Sequence, residues 1–257
     1  VDSNHLIVPI IFVLLAWWFS TGAILYLDGL SPQTFPVSMA GATAIAIGAL
    51  MLLAQASHEA TTGQAYAGFA CALVLWGWQE MAFLMGFITG SRRTPCPLGS
   101  SETNRFLYAT EAIIHHELAL IATLAVLFIA SWNQPNQTGA YTFLILWIMR
   151  LSAKLNLFFG VRNRYESFLP KKLAYLETYF GRRMINLLFP VVVTASSVAA
   201  FLLWQSALAP EQTPFHRASY SLLATLLSLA VLEHWFLVIP LKVEKMWQWA
   251  MKNRTAT

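Results

Sequence analysis

The sequence predicts an all-α, polytopic membrane protein: one domain over residues 1–257, with seven transmembrane helices, the N-terminus outside and the C-terminus cytoplasmic. Three observations carry this. Hydrophobic residues make up 57% of the chain and charged residues 11%, whereas a soluble domain carries about 25% charged residues. Seven apolar stretches reach the ~20 residues that a helix needs to cross hydrocarbon. The basic residues fall almost wholly on alternate connections. An ordinary cytosolic enzyme, a disordered chain and a disulfide scaffold are thereby excluded. The lack of period-two alternation argues against an outer-membrane barrel.

The first span, 5–27, follows a stretch with no positive charge and no cleavage site, so it is expected to be an uncleaved anchor. The breaker run from Asp28 to Pro32 ends it. The second, 37–57, holds Ala40, Ala44 and Gly48 at spacing four, a face suited to close helix packing. The third, 64–90, carries Glu80 and stops before Thr94-Pro95-Cys96-Pro97. The fourth, 105–131, carries Glu111, His115, His116 and Glu117 and is closed by Asn133-Gln134-Pro135-Asn136. The fifth, 138–160, carries Arg150 and Lys154; the sixth, 184–206, carries no charge; the seventh, 215–241, carries Arg217 near its start and Glu233 and His234 deep inside. No internal repeat is visible, which weakens a transporter reading. Cys71 and Cys96 lack metal spacing and read as unpaired thiols.

Thirteen Lys and Arg residues lie beside the first, third and fifth connections and the C-terminus, against Arg217 alone on the other side. The basic side is expected to be cytoplasmic. This bias accounts for a pI near 9.2 without nucleic acid as a partner. Two basic segments, 170–183 and 243–254, read either as amphipathic helices lying in the interface or as flanks that set orientation.

Charges inside a bilayer are expensive and usually face the bundle interior. At ~1.5 Å per residue from the basic anchors, Glu80, Glu111, His115, Arg150, Lys154, Glu233 and His234 all lie roughly 9–18 Å deep. One shared polar slab built by four helices is the economical expectation. At ~100° per residue Glu111 and His115 share a helix face, as do Arg150 and Lys154, while His116 and Glu117 point elsewhere. Trp17, Trp18, Trp76, Trp78, Trp147 and Trp235 fall within the spans and offer an aromatic lining, although helix-to-helix packing is the commoner cause.

Three readings of the slab compete. Arg150 and Lys154 could be a structural network neutralising Glu80, Glu111 and Glu233. Glu80, Glu111, His115, Glu233 and His234 could hold iron or zinc, although Glu111 and His115 are spaced four apart rather than the three of di-iron bundles, and two cations oppose a metal. A neutral histidine, His115 or His234, could ligate the magnesium of a chlorin, with His116, Glu111, Trp76 and Trp147 around it. No phosphate loop, Ser/His/Asp set or H-E-x-x-H motif is present.

Five stretches carry a family resemblance: 17–22 (WWFSTG), 85–97 (MGFITGSRRTPCP), 111–118 (EAIIHHEL), 132–139 (WNQPNQTG) and 154–163 (KLNLFFGVRN). Over nearly its whole length the chain resembles the PuhE family of photosynthetic complex assembly proteins from anoxygenic phototrophic bacteria. The resemblance implies a bacterial inner membrane and photosystem subunits of the reaction centre and light-harvesting complex as partners. It also implies a link to bacteriochlorophyll levels; the polar cluster is then expected to hold bacteriochlorophyll, a precursor of it or a nascent subunit helix. The resemblance names a pathway, not a mechanism; an assembly factor is the first expectation, and the question of an enzyme stays open. The rival expectation is a metal-dependent oxidoreductase or hydroxylase acting on a pigment or carotenoid.

Overall fold

The described residues form seven long helices: α1 Asn4–Asp28, α2 Phe35–Ser57, α3 Thr62–Leu84, α4 Glu102–Ala130, α5 Thr138–Phe159, α6 Leu188–Leu208 and α7 Pro214–Phe236. The computed structural model describes residues 4–164 and 166–251, and every regular element among them is helical. All seven are long and apolar enough to cross a membrane. Caps written in the sequence start three of them. The hydroxyls of Thr61, Ser101 and Thr213 accept from the backbone amides of Gln64, Asn104 and His216. Their outer faces are greasy, with Val37, Ile45, Phe201 and Leu202 each more than half exposed, as lipid contact requires.

Helices α3 and α7 are central: 61% and 72% of their apolar windows are buried, against 17–28% for the other five. Away from the basic end they pack directly, with Ala65 and Phe69 of α3 against Phe215, Ala218 and Leu222 of α7 and Val13 of α1. Towards the basic end a cavity lies between them, flanked by α1 and α5. Short 3-10 turns and the chain beside them line it there, through Phe168, Leu169, Val243 and Trp247.

Two spans are shorter than hydropathy suggests. Helix α3 ends at Leu84, not at residue 90. Gly86 turns the chain at φ +74°, and residues 87–93 fold back along α4. The Thr89 carbonyl accepts from the His116 amide at 2.8 Å, and the Arg92 amide donates to the Glu111 carbonyl at 3.3 Å. Helix α7 ends at Phe236 rather than near residue 241, because Asn163 gathers its last carbonyls. The Asn163 amide group donates to the Phe236 and Ile239 oxygens, and its backbone N–H donates to Leu237.

Residues 171–179 form a 3-10 helix. Its buried Leu173, Leu176 and Tyr179 follow the three-residue period of that helix and pack on Phe83, Leu84 and Ala112. Arg92 and Arg105 clamp Tyr179 from either side: Nε of Arg92 donates to its hydroxyl at 2.8 Å, and Nη1 of Arg105 to its carbonyl at 2.9 Å. Burial pushes the Tyr179 phenol above its usual range, against the pull of Arg92. The C-terminal segment, a 3-10 turn at Val243–Trp247 followed by α8 Gln248–Met251, docks on α1. There the Trp18 indole donates to the Met246 carbonyl, and the Trp247 indole to the Trp18 carbonyl. Residues 252–254 of the expected segment lie outside the described residues.

One buried amide ties α5 to α6. The Asn186 Nδ2 lies 2.9 Å from the Gly160 carbonyl and 3.1 Å from the Asn156 side-chain oxygen, while its Oδ1 accepts from the amides of Leu188 and Phe189. Asn186→Ala removes a helix cap and leaves buried polar groups unmatched. It is expected to cost about 2 kcal/mol, read as a lowered Tm of the detergent-solubilised protein.

Candidate functional site: an ion-paired intramembrane cavity

The cavity measures about 340 Å³. Each of its four helices brings polar groups into a largely apolar wall: Trp17 from α1, Glu80 from α3, Arg150 from α5, and Glu233 and His234 from α7. Glu80 is 6% exposed, and its Oε2 accepts from Nη2 of Arg150 at 3.2 Å. Its Oε1 faces Nε2 of His116 at 3.8 Å, too long for a hydrogen bond. His116 is fully buried, and its ring lies 4.5 Å from that of Phe83. One turn along α5, Lys154 pairs with Glu117 at 2.6 Å, and Glu117 also accepts from the Trp147 indole at 3.4 Å. Arg150 and Lys154 share a face, so α5 delivers two cations to two acids on two different helices.

On the far wall the Trp17 indole donates to Oε1 of Glu233 at 2.8 Å. His234 has both ring nitrogens engaged. Its Nδ1 meets the Ala230 carbonyl at 2.8 Å and therefore carries the hydrogen, and its Nε2 faces the Ser152 hydroxyl at 2.7 Å. The side chain of Arg150 is 44% exposed, and the residue lines the cavity. A guest would therefore meet a guanidinium on one wall and a carboxyl on the other. Trp76 also lines the cavity and sets its ring edge-on to Phe143 at 5.4 Å.

Of the residues singled out in the sequence, Trp17, Trp76, Glu80, Arg150, Glu233 and His234 line this cavity. His116, Lys154 and Trp147 belong to the adjoining polar layer. Glu111 and His115 do not join it: both are exposed on the outer side of α4, and the inward stripe is Ala112, His116, Leu120, Leu124 and Leu127. The expected set Glu80, Glu111, His115, Glu233 and His234 is thus divided between interior and exterior. Among the described residues no three His, Cys, Asp or Glu side chains gather as metal ligands. The cations also pair differently: Lys154 meets Glu117 rather than Glu111. Glu117 and Ser152 were not expected at the site, whereas Trp17, expected only as part of an aromatic lining, hydrogen-bonds a site carboxylate. Tryptophan within the bilayer was the one available signal for Trp17, and its partner lies 216 residues away.

Fold and site together define a multi-pass membrane protein with an internal, ion-paired cavity. The chain belongs to the DUF3623 family, described as a protein of unknown function, which matches residues 3–257. It is 38% identical over 241 residues to an uncharacterized 30.4 kDa protein in the puhA 5' region of Rhodobacter capsulatus, covering 92% of this chain and 88% of that one. No solved structure matches it.

Proposed function

We propose that the chain is an assembly factor for a bacteriochlorophyll photosystem, held in the bacterial inner membrane with its basic face cytoplasmic. Its cavity takes the polar edge of a pigment or pigment precursor. The observation that carries the cavity reading is that the Arg150 guanidinium and the Glu233 carboxyl, brought by different helices, both line a largely apolar cavity that also holds Trp17, Trp76 and Trp247. A guanidinium suits a keto or carboxylate oxygen, and a carboxyl suits a donor or cation. The pathway rests on the resemblance to the PuhE family and on the relative named for the puhA 5' region. At about 340 Å³ the cavity sits at the small end of ligand sites, which suits one edge of a tetrapyrrole rather than the whole. With His234 tied to Ser152 and Ala230, recognition falls to Arg150 and Glu233 rather than to an imidazole on magnesium.

The test is purification in mild detergent from a host that makes bacteriochlorophyll. The wild-type protein is expected to carry a chlorin absorption band. Arg150→Lys keeps the charge but loses the planar fork, and is expected to weaken pigment retention ~10-fold, about 1.4 kcal/mol. A wild-type protein free of pigment would overturn the cavity reading. Normal reaction-centre and antenna absorption in cells lacking the gene would overturn the assembly role.

A further inference from the structure

We propose that two copies of this chain pair through the outer face of α4, with Glu111 of each copy against the partner's His115. That face is a continuous exposed stripe of Glu111, His115, Leu118, Ala122, Ala125 and Ile129, spaced alternately four and three residues. Leu118 is 55% exposed and Ile129 72%. Counted from Arg105, Glu111 and His115 lie ~9 and ~15 Å along the helix, inside the span. Neither side chain makes a hydrogen bond or ion pair among the described residues. Arg92 lies within electrostatic reach of Glu111 but makes no ion pair with it; its Nε donates to the Tyr179 hydroxyl and its Nη2 to the Pro95 carbonyl. The exposed faces of α1, α2 and α6 are different: Ile11 and Leu15, Ile45 and Met51, and Val198 and Phe201 are suited to lipid as they stand.

A carboxyl and an imidazole turned towards hydrocarbon are costly and call for a partner that satisfies both. The face supplies that partner itself. About a two-fold axis along the membrane normal, the acceptor of one copy meets the donor of the other one turn away, and the contact occurs twice. Further along, Ala122 and Ala125 let the two backbones approach, which is how helices associate where apolar burial gives no drive. A foreign helix would need matching groups of its own; a second copy brings them. The inference rests on the outer face of α4 and is independent of the cavity.

The test uses the full chain in native membranes, with Cys71→Ala and Cys96→Ser as background. Leu118→Cys, oxidised with copper phenanthroline, is expected to give a species of twice the 28.7 kDa chain mass. Val198→Cys on α6 is expected to stay single. Adding Glu111→Gln and His115→Leu should abolish the cross-link while helical circular dichroism is unchanged. Light scattering in mild detergent should then fall from two chains to one. A monomeric wild-type protein, or Leu118→Cys cross-linking only to a different protein, would overturn the pairing. The light-scattering mass of the wild type decides the matter even where a variant fails to fold.

Discussion

Arg150→Leu is expected to destabilise the protein by about 3 kcal/mol, the lower end of what stranding a buried charge without its partner costs. Glu80 is 6% exposed and has one hydrogen-bonding partner, the Nη2 of Arg150 at 3.2 Å. Its second oxygen, Oε1, already lacks one. Without the guanidinium the carboxylate is stranded among Phe83, His116 and the cavity wall. The reverse change is milder, because Arg150 sits within electrostatic reach of Glu233 as well and faces the cavity. Glu80→Gln alone should therefore cost less than Arg150→Leu, and the double variant should recover most of the loss. Thermal unfolding in detergent measures all three. Equal stability of Arg150→Leu and wild type would show that the pair holds nothing in place.

That asymmetry was partly legible in the sequence. Charged residues within apolar spans announce an interior polar layer, and Glu80, Arg150, Lys154 and Glu233 did converge near the basic end. The spans themselves follow from hydropathy, since hydrocarbon crossing sets their length. Which face of α4 turns inwards did not follow. Lipid tails are as apolar as a packed core, so a stripe of Ala112, Leu120, Leu124 and Leu127 looks no different from one of Leu118, Ala122 and Ile129. The shared face of Glu111 and His115 drew attention to the outer stripe, while His116 and Glu117 occupied the interior. Helix ends were missed for a second reason. Phe87 and Ile88 carry the apolar run of the third span on towards residue 90, but the positive φ of Gly86 and the backbone bonds of residues 87–93 to α4 remove them from α3.

That folded-back segment yields the other large effect. Gly90→Ala is expected to destabilise the protein by about 3 kcal/mol, through overpacking together with lost hydrogen bonds. A Cβ at Gly90 would stand 2.0 Å from the Glu111 carbonyl oxygen and 2.4 Å from the Ala112 carbonyl carbon. Both are backbone atoms of a helix and cannot swing aside as a side chain would. The segment must lift from α4, which breaks the bonds from the Arg92 amide to Glu111 and from the His116 amide to Thr89. His116 faces Glu80, so the disturbance reaches the polar layer beside the cavity. The contrast is Gly41→Ala on α2, where an added Cβ meets nothing within 4 Å. There the same substitution should stabilise by roughly 0.5–1 kcal/mol, through helix propensity alone. Opposite signs in the two unfolding curves are expected. A neutral Gly90→Ala would mean that residues 87–93 do not lie on α4, and the bond from the His116 amide to Thr89 would fall with them.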